Sequence, residues 1–142
     1  MQEEQLFCGR CLCGSIEIEC RFSMNESLKL VYCYCDSCRK STGAPKLAVF
    51  PAPIRAVKIR DEKASLTGSE SSWGKTRYFC KECGASIYSQ RDGATDLRLR
   101  AGLFDRLESL EFVGHIYFSN RADWYDTYGS SPRFTGKEPG RT

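Results

Sequence analysis

The spacing of the cysteines constrains this chain more than any other feature of its sequence. Seven of its nine cysteines fall into three short blocks, within which one or two residues separate neighbouring cysteines. Such close spacing suits chelation of a metal ion, and an odd number of cysteines fits a disulfide framework poorly. The blocks are Cys11-Leu-Cys13, Cys33-Tyr-Cys35-Asp-Ser-Cys38 and Cys80-Lys-Glu-Cys83.

Backbone geometry explains how each block can offer several sulfur atoms to one ion. In an extended strand, residues i and i+2 point to the same face, so Cys33 and Cys35 can present two sulfurs together, and the first block can do the same. A Cys-x-x-Cys turn also brings two sulfurs together, and Gly84 after the third block permits the positive φ of a tight turn. Sulfur ligands in a tetrahedron favour zinc, although iron also occupies sulfur-rich sites. The sequence therefore predicts a zinc protein.

Length and composition set limits on the fold and on the partners. The chain has 142 residues, of which 41% are hydrophobic and 12% aromatic, which suits one zinc-binding domain over residues 1–142 with a buried core. The formal charge of +3 is weak support for nucleic-acid binding, because seven thiolates holding two zinc ions would cancel it. No run of five like charges occurs either, so a nucleic-acid partner is not expected.

Outside the cysteine blocks, the pattern predicts short strands separated by turn residues. Apolar and charged residues alternate at 15–20 and 96–101, so we expect sheets with one face in water. Pro51 and Pro53 are taken as strand breakers, residues 103–110 as one helical turn or a loop, and residues 135–142 as a mobile tail. The predicted strands span residues 15–20, 28–34, 46–50, 57–60, 76–79, 85–90, 96–101 and 115–118.

The sequence carries no pattern of export or membrane insertion. No apolar run reaches the roughly 20 residues that a membrane-spanning helix needs, and the start Met-Gln-Glu-Glu-Gln-Leu-Phe lacks the basic and then apolar pattern of a signal peptide. We therefore expect a cytoplasmic protein, and reducing conditions there would keep the thiols free for a metal.

The order and form of the three blocks resemble the glutathione-dependent formaldehyde-activating enzyme family. The similarity extends over about residues 9–134. It implies an Mss4-like fold, which is mainly β with several curled antiparallel sheets tied together by zinc. The segments that carry the resemblance are residues 9–16, 33–43 and 79–84, with weaker similarity at 101–105, at 115–118 and at Trp124.

The resemblance also implies a reaction and a division of the cysteines. The implied reaction joins formaldehyde to glutathione as S-hydroxymethylglutathione, which makes the chain a carbon-sulfur lyase-type enzyme. The family commonly has histidine where this chain has Tyr34, and this departure bears on the exact substrate. In that scheme the structural zinc is held by Cys11, Cys13, Cys80 and Cys83, and the catalytic zinc by Cys33, Cys35 and Cys38.

The ligand counts support this division on chemical grounds. A site with four protein thiolates is closed, whereas three leave a position for water or substrate. Three thiolates give the ion a net negative charge, so it should acidify water weakly and suit a thiol substrate better than hydrolysis. Arg39 and Lys40 follow the last ligand, and we predict that they contact the carboxylates of glutathione.

Two alternatives remain open from the sequence. The middle block could be a second structural site closed by Cys8, Cys20 or His115, since structural zinc is usually four-coordinate. Cys8 and Cys20 are more simply buried small residues, and His115 is more simply a core or hydrogen-bonded histidine. The chain could also be a noncatalytic zinc module that binds protein or nucleic acid.

We predict that protein purified without a chelator contains close to two zinc ions per chain, because the sequence offers four ligands to one ion and three to another. Elemental analysis by plasma mass spectrometry measures this directly. Iron as the main metal, or one zinc per chain, would contradict the two-site assignment.

Overall fold

Ten strands make up about half of the computed structural model, which describes residues 3–125, 131–132 and 134–135. One α-helix, α1 (Asp36–Thr42), follows the third strand, and 3-10 helices span Ile54–Ala56, Ala101–Leu103 and Phe118–Asn120. The mainly β prediction is confirmed. The strands are β1 (Glu4–Arg10), β2 (Glu17–Ser23), β3 (Leu28–Cys33), β4 (Leu47–Pro53), β5 (Val57–Arg60), β6 (Leu66–Ser72), β7 (Lys75–Cys80), β8 (Ser86–Arg91), β9 (Asp96–Arg100) and β10 (Leu110–Ile116).

The strands form two sheets. One has three strands in the order β1-β2-β5, and the other has seven in the order β10-β3-β4-β9-β8-β7-β6. Neighbouring strands are antiparallel except for β10, which pairs with β3 in parallel. The expected antiparallel arrangement therefore holds for every strand pair but this one. None of the described helices is long and apolar enough to cross a membrane.

Apolar residues from both sheets form the larger of two hydrophobic clusters among the described residues. Ile16 and Ile18 from the region of β2 are fully buried in the same cluster as Phe50 of β4, Ile87 of β8 and Leu99 of β9. Full burial of one such side chain contributes roughly 1.5–3 kcal/mol. The alternation predicted at residues 15–20 is therefore correct, and it directs one face of β2 toward the seven-stranded sheet.

Some elements were not predicted from the sequence. The strands β1 and β6 were missed, and β10 begins at Leu110 rather than at His115. The helix α1 has only seven residues, too few for a hydrophobic period, and depends on a local cap in which Cys35 accepts a hydrogen bond from the Cys38 backbone N–H. Most of the tail predicted to be mobile, residues 136–142, lies outside the described residues.

The two prolines predicted to break a strand lie inside β4. β3 pairs with β4 only along Leu47–Val49, so beyond Val49 the strand has only β9 as a partner. Pro51 and Pro53 lie in this stretch with one neighbour, where a missing N–H costs no ladder hydrogen bond on the open side. The prediction was wrong because the tolerance of proline depends on which edge of the strand is paired.

Gly9 lies where the two sheets approach each other. It pairs with Ile18 within the first sheet and forms an isolated antiparallel bridge to Phe104. A Cβ atom at Gly9 would lie 2.9 Å from the Leu103 carbonyl oxygen and 2.9 Å from ring carbon Cδ1 of Phe104.

We therefore predict that Gly9→Ala lowers the free energy of unfolding by about 1–3 kcal/mol, the usual cost of overpacking. Gly102→Ala is the matched control, because a Cβ there has no neighbour within 4 Å. Urea unfolding followed by circular dichroism measures both. Equal midpoints for the two variants would contradict a close approach at Gly9.

Candidate active site

The outer two cysteine blocks meet in one four-sulfur set. The Sγ atoms of Cys11, Cys13, Cys80 and Cys83 all lie within 4.8 Å of one another. Cys13 Sγ is 3.7 Å from Cys11 Sγ and 3.8 Å from Cys80 Sγ. A tetrahedron with metal–sulfur distances of about 2.3 Å has edges of about 3.8 Å. The donor set therefore fits a zinc ion.

Local backbone contacts hold the four-sulfur set in place. Gly84 has φ +77°, as its position after the Cys-x-x-Cys turn predicted, and its N–H donates to the Cys80 carbonyl oxygen at 2.7 Å. The Ile16 N–H lies 3.3 Å from Cys11 Sγ and donates to it. The contact with Ser15 lowers the pKa of Cys13 to about 6. Backbone and serine contacts from residues 15 and 16 thus position the sulfurs of Cys11 and Cys13.

The middle block forms a second, three-sulfur set. The Sγ atoms of Cys33, Cys35 and Cys38 lie within 4.8 Å of one another. Cys33 ends β3, Cys35 caps the N-terminus of α1, and Cys38 lies in the first turn of that helix. The Cys38 backbone N–H donates to Cys35 Sγ at 3.4 Å. The turn from β3 into α1 is therefore what brings the three sulfurs together.

Among the described residues, no fourth cysteine, histidine or carboxylate joins the three-sulfur set. Cys8 and Cys20 lie on β1 and β2 of the other sheet, and Cys8 is exposed rather than buried as expected. His115 is hydrogen-bonded, as predicted, with its Nδ1 atom 2.8 Å from the Tyr34 hydroxyl. The three residues considered as a fourth ligand are therefore placed elsewhere.

Tyr34 packs behind the three-sulfur set. Its side chain is fully buried, and its hydroxyl lies 3.4 Å from that of Tyr125 in addition to the contact with His115. Lys46 Nζ donates to the Tyr125 hydroxyl at 3.1 Å and lies 4.6 Å from the centre of the Tyr32 ring. Burial raises the pKa of Tyr34, so its hydroxyl stays protonated. The residue that replaces the family's usual histidine therefore belongs to an aromatic cluster.

A cavity of about 600 Å³ opens beside the three-sulfur set. Cys33, Cys35 and Cys38 all contribute to its lining, whereas Tyr34 does not. Asp96 is the one acidic side chain in that lining, and five are basic. The cavity is thus strongly cationic. Its basic residues are Lys75, Arg77, Arg91, Arg98 and Arg100.

Strand register places these cations on one face of the seven-stranded sheet. Lys75 of β7 lies opposite Arg91 of β8. One row further along, Arg77 lies opposite Ser89, which in turn lies opposite Arg98 of β9. Because side chains of paired residues point to the same face, the basic groups form a continuous wall.

Arg77 connects this wall to the three-sulfur set. It is only 7% exposed, and its Nη1 and Nη2 atoms lie 3.7 and 3.8 Å from Cys38 Sγ. Its Nε donates to the Ser71 hydroxyl at 2.9 Å. Hydrogen bonds from Cys33 and Cys35, and the charge of Arg77, lower the pKa of Cys38 to about 5. The bond with Cys38, together with burial, raises the pKa of Cys33.

Arg100 is the second buried guanidinium of the wall, at 4% exposed. Its Nε donates to Ser86 Oγ at 2.9 Å, and its Nη1 lies 3.3 Å from both Ser89 Oγ and the Arg98 carbonyl oxygen. Its Nη2 atom is buried without a hydrogen-bond partner among the described residues. Burial, followed by the charge of Arg77, lowers the pKa of Arg100 to about 10, so the group stays charged at neutral pH.

The sequence correctly predicted which face of β9 carries Arg100, but it did not predict that Arg100 is buried. Leu97 and Leu99 are buried on the core side and Arg98 is exposed, as the alternation required. Arg100 was expected on a wet face and is instead buried, because that face forms a cavity wall. The spacing of Lys75 with Arg77 and of Arg98 with Arg100 signals paired cations, but only the strand order shows that they face the cysteines.

The structure places the two predicted substrate contacts outside the cavity lining. Arg39 and Lys40 lie on α1, where Arg39 Nη2 is 2.8 Å from Asp36 Oδ1 and Lys40 is exposed. Neither residue belongs to the cavity wall. Their contact with the carboxylates of a substrate stays a prediction.

Comparison with known proteins now decides the family. The family model described as "Glutathione-dependent formaldehyde-activating enzyme" matches residues 6–120, a range that contains both sulfur sets and the whole cavity lining. The chain belongs to this family. The resemblance inferred from the cysteine blocks is thereby confirmed.

Two relatives of this chain show low sequence identity to it. An uncharacterized lyase of Schizosaccharomyces pombe is 28% identical over 131 residues, which cover 92% of this chain and 91% of the yeast protein. A putative glutathione-dependent formaldehyde-activating enzyme of Penicillium rubens is 25% identical over 127 residues, covering 89% of this chain and 58% of that protein. This chain thus matches little more than half of the Penicillium protein.

One solved structure supports the fold. A crystal structure of a Rhodobacter sphaeroides protein superposes with a TM-score of 0.57 at 21% identity, covering 76% of this chain and 98% of that one. At this level of identity the likeness supports the architecture alone.

The two sulfur sets should differ in what their loss does to the fold. The four-sulfur set connects Cys13 to Cys80, 67 residues apart, whereas the three-sulfur set closes a short local loop. Structural zinc binds with about 10–16 kcal/mol, comparable to the roughly 5–15 kcal/mol by which whole domains are stable. We predict that Cys83→Ser gives insoluble or molten protein, while Cys38→Ser stays folded with about one zinc ion.

Circular dichroism, thermal melts and metal content on both variants provide the measurement. If Cys38→Ser unfolds as badly as Cys83→Ser, the three-sulfur set is structural and the open site loses its support.

Proposed function

We propose that this chain is a zinc-dependent carbon-sulfur lyase-type enzyme that acts on the adduct of a small thiol and an aldehyde. Glutathione and formaldehyde, which form S-hydroxymethylglutathione, are the leading pair. The observation that carries the proposal is the set of Cys33, Cys35 and Cys38 on the wall of a cationic cavity of about 600 Å³. Membership of the family and the names of the two fungal relatives support the same chemistry.

In this proposal the two sulfur sets have separate roles. The four-sulfur set holds a structural zinc, because its four ligands complete a tetrahedron. The three-sulfur set leaves one tetrahedral position for a ligand from the cavity. Zinc bound there would hold the thiol of the substrate deprotonated near neutral pH and would position it for attack on an aldehyde carbon.

The chain's own residues supply charge and confinement. Arg77 donates to Cys38 Sγ and partly neutralises the negative charge of the three thiolates. The cavity brings thiol and aldehyde together, and proximity alone can lower a barrier by up to about 7–11 kcal/mol when the groups are well aligned. The resulting alkoxide oxygen would develop beside a basic wall, which stabilises negative charge.

Lys75 is the wall residue best suited to give a proton to that oxygen. Burial lowers the pKa of Lys75, and the charge of Arg77 lowers it further. A lysine whose pKa is brought closer to neutrality gives up its proton more readily than an exposed one. In the reverse reaction the neutral amine would take the hydroxyl proton of the adduct.

We expect the protein to accelerate the exchange between free glutathione, formaldehyde and S-hydroxymethylglutathione. Cys38→Ser should lose at least about 100-fold of that acceleration, which is the usual effect of removing a general acid–base or electrostatic contribution to catalysis. Magnetisation-exchange NMR at equilibrium measures the rate above the spontaneous reaction. Cys8→Ser, at an exposed cysteine outside both sulfur sets, is the control.

No acceleration by fully metal-loaded protein, with either glutathione or another small thiol, would overturn the enzyme proposal. The noncatalytic zinc module would then be the better description of the chain.

A further inference from the structure

The cavity holds a buried cation to which the proposed reaction assigns no individual role. Arg100 is 4% exposed and lines the cavity, yet its Nη2 atom has no partner among the described residues. Leaving a buried donor unpaired costs about 1–3 kcal/mol, and more when the group is charged. Arg100 is therefore a cation of the cavity lining whose hydrogen-bonding capacity the described residues do not fully use.

Arg77 and Arg100 differ in the charge of the groups that their guanidinium nitrogens contact. Arg77 faces Cys38 Sγ, so the thiolates already provide it with negative charge. Arg100 contacts only serine hydroxyls and a carbonyl oxygen, which are neutral. Neither arginine forms an ion pair with a carboxylate in the part of the chain that the structure describes. The charges of Cys38 and Cys33 act on Arg100 only from a distance, so the wall contains a buried guanidinium that no anion of the described chain contacts directly.

Arg98 is a second arginine of the same cavity lining. Its side chain is exposed and lines the cavity, and its carbonyl oxygen accepts from Arg100 Nη1 at 3.3 Å. The two arginines lie two residues apart on the same face of β9 and line the same cavity, and arginine binds carboxylates through charge-assisted hydrogen bonds.

We propose that Arg100 and Arg98 form a carboxylate-binding subsite in the cavity beside the three-sulfur set, so that the preferred thiol substrate carries a carboxylate. The identification of the ligand as a thiol rests on the proposed function, whereas anion binding at the two arginines does not. The subsite assigns substrate recognition to the cavity wall rather than to Arg39 and Lys40 on α1.

Two derivatives of glutathione separate the carboxylate from the thiol. S-Methylglutathione keeps both carboxylates and has no free thiol, and glutathione diethyl ester keeps the thiol with its carboxylates masked. Calorimetry on the metal-loaded protein should show measurable binding of S-methylglutathione, tighter binding of glutathione, and at least tenfold weaker binding of the diethyl ester than of glutathione.

The variants then locate the subsite. Arg98→Gln and Arg100→Gln should each weaken S-methylglutathione binding at least tenfold, since each removes a charge-assisted contact. Arg55→Gln is the matched control, because Arg55 is exposed and lies outside the cavity lining. Arg98 is also exposed, so its variant remains informative if Arg100→Gln does not fold.

Several outcomes would overturn the subsite. They are no binding of S-methylglutathione to the wild type, unchanged binding in Arg98→Gln and Arg100→Gln, or a loss found only in Arg39→Gln or Lys40→Gln. Inorganic phosphate that binds more tightly than S-methylglutathione would overturn the carboxylate assignment. Failure of the proposed function has a different signature, in which glutathione and S-methylglutathione bind equally well and both remain sensitive to Arg98→Gln.

Discussion

The four-sulfur set is the connection on which the remaining geometry depends. Cys11 and Cys13 follow β1 of the small sheet, and Cys80 ends β7 of the large one. A metal ion held by these four cysteines would join two sheets whose only other direct link in the strand pairing of the described residues is the bridge from Gly9 to Phe104. The strand β7 contains both Cys80 and Arg77. Contacts that position Cys80 therefore also position the Arg77 part of the cavity wall relative to Cys38.

The cysteine sets could be predicted from sequence because their chemistry is local. One or two intervening residues suffice to bring two sulfurs together, whatever the rest of the chain does. The basic wall could not be predicted, since it depends on the order β9-β8-β7 and on the register that sets Arg77 beside Ser89 and Arg98. Likewise, Pro51 was misjudged because its tolerance depends on a pairing between strands distant in sequence.

Charge balance explains why two arginines can be buried at this site. An isolated buried charge is strongly unfavourable, so it requires an opposite charge or dense hydrogen bonding. Three thiolates around a divalent ion carry one negative charge in excess, and Arg77 lies against one of those sulfurs. Among the described residues, Arg100 has no such direct contact with a sulfur or a carboxylate, and the cavity lining contains five basic residues against one acidic residue. A buried cation in such a lining is the arrangement expected where an anionic ligand binds.

In the proposed function, the three-sulfur set would have to remain ordered while one metal position exchanges its ligand. Tyr34, the residue between Cys33 and Cys35, is fully buried and hydrogen-bonded to His115, which anchors this part of the backbone. The guanidinium of Arg77 contacts Cys38 Sγ. These contacts support Cys33, Cys35 and Cys38 without adding a fourth ligand to the set. Loss of supporting contacts of this kind typically lowers metal affinity or activity by about 10–100-fold. Tyr34 lies outside the cavity lining, so it bears on the support of the cysteines and not on the cavity wall.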